Sequence, residues 1–254
     1  GKYGRNPAGP AEQLADMDTE GIDVAVLYGT TALAMWKVKD REVAVDVHRA
    51  YNDWLADFCR HSSERLKGVA ALPMVEPAAA ARELERCVKE HGFVAGMAHT
   101  RIHNHSIADS AYDELYSAAQ QLDVPIAFHA AGNEIDRFEN FLQQHTLGHT
   151  HEQMSSVVFV IFGQLVERFP TLKIAFLEGM CGWVPMLAER MDEEFEFRSH
   201  EAPLLKKDPS EYFKEGRLFF GTEPDEWTIP YVIKFLGTDQ TLIYASDYPH
   251  WDSD

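Results

Sequence analysis

The feature of this sequence that most limits its fold is a regular alternation of two kinds of segment. Seven short runs are apolar at nearly consecutive positions, which predicts strands buried on both faces. They span residues 23–29, 66–73, 93–100, 124–130, 172–179, 217–223 and 241–247. Segments between them have helical spacing, clearest over 43–58, 109–122, 154–169 and 183–195. Strands that alternate with helices pair in parallel through right-handed crossovers.

Parallel strands of this kind form a closed barrel or an open sheet, and two observations favour a (β/α)8 TIM barrel. The length of 254 residues is close to that of such a barrel. The G-x-G-x-x-G expected after the first strand of a dinucleotide-binding sheet is absent from residues 28–31. Seven strands are one short of eight. We therefore expect residues 1–254 to form one barrel domain whose first strand and last helix lie outside the chain given.

Composition limits the partners and the compartment. The 41 acidic residues exceed the 23 basic ones, for a net charge of −18, which argues against binding to nucleic acid or an anionic membrane surface. The most apolar run, residues 157–162, is too short to cross a bilayer. Cys59, Cys87 and Cys181 are odd in number and form no C-x-x-C, so a reducing cytoplasm fits best. We expect a small-molecule substrate, and a homo-oligomer stays open.

Polar residues at the carboxyl ends of the predicted strands indicate where a site would form. In a parallel barrel these ends open on one rim, and they carry Arg101, His129, Glu178, Glu223 and Asp247. Each residue alone is equally well explained as a helix cap, but their convergence favours a site, above all at His129 and Asp247. Imidazole and carboxylate together suit a divalent ion, with zinc as first choice and manganese as second. A catalytic zinc site usually takes three protein ligands, so one is lacking here.

Four segments of the chain resemble a known family. They are SDYPHWD (246–252), which is the most specific, PIAFHAAG (125–132), YNDWLADF (51–58) and FLEGMCGWVP (176–185). Together they resemble the amidohydrolase-related branch of the metal-dependent hydrolases, the branch of aminocarboxymuconate-semialdehyde decarboxylase. The resemblance covers nearly the whole chain, in the order expected along a barrel.

The resemblance implies roles for particular residues. His129 and Asp247 would bind the metal, and Asp247 would also move a proton. Glu178 stands where the decarboxylases often carry a catalytic histidine, which leaves the reaction open between decarboxylation and hydrolysis because the two groups differ as proton-transfer partners. The H-x-H or E-x-H pair of the family's first strand has no counterpart in this chain. Candidate substrate contacts are Arg101, His149, Trp183 and His250.

Two further histidine clusters and one cysteine are alternatives to this site. His103-Asn104-His105 is an H-x-H, but it lies in a polar stretch that is typical of a loop. The cluster His145, His149 and His151 is predicted as a loop over the rim, from which His149 reaches the pocket. Cys181 follows a strand as a nucleophile elbow would, yet Trp183 takes a place that an elbow gives to a small residue.

The sequence therefore predicts a metal-dependent enzyme that acts on a carboxylated aromatic compound or its ring-cleavage product in aromatic catabolism. In decarboxylation, Asp247 would deliver a proton to the ring carbon. In hydrolysis, Asp247 or Glu178 would serve as base for a metal-bound hydroxide. The alternative is an inactive barrel that serves as a binding or assembly subunit. Its motivation is the carboxylate at Glu178 and the absence of the first-strand pair.

Overall fold

A computed structural model describes residues 9–100, 106–130 and 138–248. Each of the seven predicted runs contains a strand: β1 (Ala25–Leu27), β2 (Leu66–Ala71), β3 (Ala95–His99), β4 (Ile126–His129), β5 (Ile174–Leu177), β6 (Leu218–Thr222) and β7 (Leu242–Tyr244). The α-helices are α1 (Pro10–Glu20), α2 (Arg41–Cys59), α3 (Pro77–His91), α4 (Asp113–Leu122), α5 (Phe141–Phe162), α6 (Leu165–Arg168), α7 (Val184–Arg198), α8 (Pro209–Phe213) and α9 (Ile229–Leu236).

The strands form one parallel sheet in the order β1 to β7, which is the order of the chain. This is the arrangement of a TIM-type α/β barrel, as predicted, and it brings the carboxyl ends of all strands to the same edge. The register places His99 beside His129 across β3 and β4, and His129 beside Leu177 across β4 and β5. The rim therefore begins at these residues.

The two faces of the sheet are filled by side chains of different size. The outer face, which the helices cover, carries Phe128, Phe176 and Phe220, whose rings stack at centroid distances of 6.2 and 5.7 Å. The inner face carries smaller residues, among them Ala127 and Ala175. Because side chains alternate along a strand, His129 shares the inner face with Ala127. The barrel thus directs this imidazole inward.

The longest helix departs from the sequence prediction at both ends. Helix α5 begins at Phe141 instead of Met154, and the Asn140 side chain caps it by accepting a hydrogen bond from the backbone N–H of Gln143 at 3.0 Å. It ends at Phe162, because Gln164 adopts a left-handed conformation with φ of 62° that separates α6. The prediction of one continuous helix to Phe169 is therefore wrong.

The prediction of a loop for the second histidine cluster is also wrong, because α5 begins before that cluster. Helix α5 contains His145, His149 and His151. Gly148, which suggested a loop, is a buried residue of the helix, where a glycine costs about 1 kcal/mol of helix propensity.

The described sheet has two edges, β1 and β7, and a cavity of about 270 Å³ lies between them. Residues of α1, β1 and β7 line it, and Val26 and Tyr244 are exposed there. The Tyr248 hydroxyl donates to Asp16 Oδ2 at 2.6 Å, so the chain after β7 is tied to α1. Residues 9–100, 106–130 and 138–248 contain seven strands, so the first strand that the barrel prediction requires is not among them. In this same part of the chain, each helix is too short or too polar to cross a bilayer.

Candidate active site

His129 is held in one tautomer at the end of β4. Its Nδ1 lies 2.9 Å from the backbone carbonyl of Ala130, which can only accept a hydrogen bond, so Nδ1 carries the proton. The lone pair is then on Nε2, which lies 4.0 Å from Oε1 of Glu178. A backbone carbonyl that orients the second ring nitrogen is typical of metal-binding histidines. The side chain is thus prepared to act as a ligand through Nε2.

Glu178 follows β5 in an unusual backbone conformation. Its φ is 63°, and that of Met180 is 55°, values that residues other than glycine rarely adopt. Asp247, three positions after the end of β7, also has a positive φ of 53°. Such conformations cost about 1 to 3 kcal/mol each and concentrate at functional sites. Both predicted acidic groups therefore stand on strained backbone beyond the carboxyl ends of their strands.

The turn after Glu178 is held by buried hydrogen bonds. The Glu226 carboxylate accepts from the backbone N–H groups of Cys181 and Gly182, at 2.9 and 2.6 Å. The Trp183 indole donates to the carbonyls of Gly179 and Met180, each at 2.9 Å. These contacts fix the turn in the conformation that Glu178 requires.

Trp183 packs on the helix side of the sheet. Its ring meets that of Phe220 edge to face at a centroid distance of 5.9 Å, within the core that lies outside the barrel. These contacts give Trp183 a packing role, and its predicted contact with substrate stays a prediction.

Helix α5 crosses the rim beside β3, β4 and β5. Glu152 accepts a hydrogen bond from the Thr100 hydroxyl at 3.2 Å, directly after β3. Burial lowers the pKa of His149 to about 4, with smaller contributions from His145 and His129. His149 is therefore a neutral imidazole near His129. The prediction that His149 reaches the site is compatible with this position, although its contact with substrate stays a prediction.

A histidine that the sequence analysis missed lies next to His129. His99, the last residue of β3, is 2% exposed, and its Nδ1 has no hydrogen-bond partner among the described residues. Burial lowers its pKa to about 3, with His48 and His129 adding to the effect. The sequence shows the same pattern at His99 as at His129, namely an apolar run that ends in histidine. The sequence pattern predicts Arg101 as the polar end of that run instead.

Several of the remaining predicted residues belong to the part of the chain that the structure does not describe. Arg101, His103-Asn104-His105 and His250 lie outside the described residues. Cys181 is buried, and burial, together with the Glu226 carboxylate, raises the pKa of its thiol to about 12. A thiol so hard to ionise is a poor nucleophile, which agrees with the weak case for it in the sequence.

The described residues supply only part of a metal site. Among them, no group of three histidine, cysteine or carboxylate side chains is gathered as a metal would require. The Nε2 of His129 and the carboxylates that follow β5 and β7 are donors that suit zinc or manganese. The donor chemistry of the rim therefore fits a divalent ion.

Comparison with known proteins agrees with this description. The family model described as amidohydrolase matches residues 2–254. The chain is 33% identical to gamma-resorcylate decarboxylase of Rhizobium sp., over 93% of this chain and 76% of that protein. It is 22% identical to 2-amino-3-carboxymuconate-6-semialdehyde decarboxylase of Dictyostelium discoideum, over 94% of this chain and 66% of that protein.

Among solved structures, dihydroxybenzoic acid decarboxylase from Polaromonas sp., crystallised with manganese and 2-nitroresorcinol, is 26% identical. The TM-score is 0.77, with 93% of this chain and 74% of that chain covered. The chain thus spans about two thirds to three quarters of the length of these decarboxylases. An inactive barrel has no support among these relatives, and the predicted barrel fold and enzyme class are confirmed. The chain belongs to the amidohydrolase family, in the branch that contains these decarboxylases.

Proposed function

We propose that this enzyme uses a divalent metal ion to remove CO2 from a carboxylated phenol or a related ring-cleavage acid. The observation that carries the proposal is the pair formed by His129 and Glu178 at the carboxyl edge of the sheet. There, a backbone carbonyl fixes the tautomer of the imidazole, and Nε2 lies 4.0 Å from the carboxylate. Relatives that are decarboxylases of such acids support this reading.

The metal would be held by Nε2 of His129 and by the carboxylate of Asp247. When bound, the ion supplies positive charge that holds the oxygens of the substrate. Zinc is the ion that the sequence favours, whereas the Polaromonas relative was crystallised with manganese, so both belong in the test.

The chain's own residues would bind the substrate and move the proton. Arg101 would bind the departing carboxylate through its guanidinium, and His149 and His250 would border the ring, whereas Trp183, which packs on the helix side of the sheet, would only support the turn after β5. As the bond between the ring and the carboxylate breaks, CO2 leaves and the electron pair stays on the ring carbon. That carbon then takes a proton from Asp247, which would first have accepted it from the phenol hydroxyl of the substrate or from water. Glu178 stands beside His129 as the second group able to hold a proton.

Hydrolysis is the second candidate reaction, and the carboxylate at position 178 is the observation that favours it. A carboxylate that lies 4.0 Å from a histidine can accept a proton from water, as a general base does. The two reactions differ in their products, because only decarboxylation releases CO2 from a substrate without an ester or ketone group.

The experiment loads the full chain with Mn²⁺ or Zn²⁺ and measures CO2 and phenol release from gamma-resorcylate and related acids. His129→Asn should lose metal binding and lower kcat/KM by about 100-fold or more. His61→Asn is the matched control, because His61 is exposed, its Nδ1 lies 3.3 Å from the Asp57 carbonyl, and it precedes β2, far along the chain from the proposed ligands. A wild-type chain that binds neither ion, or that works equally well with a chelator, would overturn the proposal.

Three further properties belong to the same proposal. All three cysteines are buried and unpaired, which supports a reducing cytoplasm as the site of action. We expect the partner of the enzyme to be its small-molecule substrate, and a homo-oligomer is to be tested by light scattering. We also treat residues 1–254 as part of a single barrel domain.

A further inference from the structure

We propose that Gln153 is a positioning residue that sets the distance between His129 and Glu178. The inference rests on the proposed function, because it assigns Gln153 to the two groups that would bind the metal and hold a proton. Gln153 lies on α5 and its side chain is completely buried. None of the four sequence segments that resemble the family includes it.

The Gln153 amide joins the ends of two neighbouring strands. Its Nε2 donates a hydrogen bond to the carbonyl of Phe128 at 3.0 Å and a second one to the carbonyl of Leu177. These carbonyls belong to the residues immediately before His129 and Glu178. One side chain therefore holds both functional residues at the point where their backbones leave the sheet.

The ladder between β4 and β5 cannot do this alone. Its last paired residues are His129 and Leu177, so Glu178 lies one position beyond the regular hydrogen bonds. There the backbone turns to a positive φ, which costs free energy and must be held by neighbouring contacts. The bonds from Gln153 are in the right place to hold it.

The orientation of the amide follows from its partners. Both are carbonyl oxygens, which only accept, so the NH2 group must face them. Its Oε1 has no hydrogen-bond partner among the described residues. A carboxylate or a thioether at this position could not make the two donations, although it would fill almost the same space.

Close packing holds α5 in place for these bonds. A Cβ on Gly179 would come within 2.7 Å of Cγ of Gln153, so only glycine permits the approach. The Thr150 hydroxyl donates to the Gly179 carbonyl at 3.2 Å, one turn earlier on the same helix. His149 is carried by this same turn. The contact between α5 and the turn after β5 therefore fixes the positions of Gln153, Thr150 and His149 together.

The test compares Gln153→Met with Gln120→Met in the full chain. Gln120 also makes a long-range hydrogen bond, to the backbone N–H of Thr171 at 3.1 Å, but this lies before β5, at the opposite end of the strand from Glu178. We expect Gln153→Met to lower kcat by about 100-fold with a change in KM of less than about threefold. It should also weaken Mn²⁺ binding, measured by calorimetry, by about 10-fold. Gln120→Met should change neither quantity.

A double-mutant cycle separates positioning from a general loss of stability. If Gln153 acts through Glu178, Gln153→Met should change kcat by less than about twofold when Glu178→Gln is already present. Thr150→Val is a milder variant for use if Gln153→Met does not fold, with an expected loss of about threefold that also disappears beside Glu178→Gln.

Two results would overturn the inference, and they are distinguishable. If the wild-type chain turns over substrate and Gln153→Met matches it, or if the losses from Gln153→Met and Glu178→Gln simply multiply, Gln153 does not position the pair. If the wild-type chain binds no Mn²⁺ and releases no CO2, the proposed function fails and the role of Gln153 fails with it.

Discussion

Replacing Asn52 with leucine should destabilise the protein strongly, although Asn52 lies outside the proposed active site. Asn52 is completely buried on α2, and its amide makes three hydrogen bonds. Oδ1 accepts from the N–H of Ala71 at 2.8 Å, while Nδ2 donates to the carbonyl of Ala71 at 3.0 Å and to Glu83 Oε1 at 2.8 Å. Strand β1 ends at Leu27, which pairs with Gly68, so β1 does not extend as far as Ala71. The Asn52 amide therefore makes the hydrogen bonds to Ala71 that a neighbouring strand would make.

The expected cost follows from these contacts. Leucine has a similar volume, so little of the effect comes from a cavity. Two neutral hydrogen bonds contribute about 1 kcal/mol each, and the bond to a carboxylate about 2 kcal/mol. The loss is therefore about 4 kcal/mol, a large share of the roughly 5 to 15 kcal/mol that separates a folded domain from its unfolded state.

Urea denaturation of the full chain, followed by tryptophan fluorescence and circular dichroism, measures this loss. The control is Asn140→Ala, which removes one exposed hydrogen bond of 3.0 Å at the start of α5 and should cost about 1 kcal/mol. If Asn52→Leu costs no more than Asn140→Ala, the buried amide does not replace a strand neighbour and the reasoning is wrong.

Two further predictions concern buried ionisable groups. Burial raises the pKa of Glu83, but hydrogen bonds from Arg86 and Asn52 outweigh it, so the pKa lies below its ordinary value of 4.5. The stabilisation by Glu83 is then present above about pH 4.5 and is lost as the pH falls below that value. The free energy of unfolding lost in Glu83→Gln, measured by urea denaturation, should therefore shrink towards acidic pH. A loss that does not change with pH would contradict this. Because the pKa of Cys181 is raised to about 12, iodoacetamide should label this thiol slowly in the folded chain, which mass spectrometry would detect. Cys181→Ala should keep kcat within about threefold of the wild-type value. Rapid labelling with loss of activity would instead identify Cys181 as a nucleophile.

The sequence predicted the strands and the general place of the site because both follow from local pattern. A strand that is buried on both faces can be recognised from its own apolar run, without knowledge of the strands that pair with it. All seven such runs form strands of one parallel sheet. Since parallel strands share one carboxyl edge, the polar residues at their ends could be grouped before any contact was known. His129 and Glu178 are the pair for which this grouping holds in the structure.

The first half of α5 could not be read in the same way. Residues 141–153 are mostly polar and include Gly148, so their composition is typical of a loop. They are helical because Thr150 and Gln153 bond to backbone that lies 29 and 24 or 25 positions away, which local propensity does not contain. His99 was missed for a different reason, since the choice between it and Arg101 depended on where β3 ends.

Sequence by itself therefore determined the α/β barrel, its family and the strand ends that carry histidine and carboxylate, because periodicity and motif order are properties of neighbouring residues. Only the tertiary structure decided that His99 lies beside His129, that Glu178 stands on backbone of positive φ, and that α5 joins the ends of β4 and β5 through Gln153. These features depend on contacts between residues far apart in the chain. Their geometry exists only once the strands have paired and the helix has packed against them.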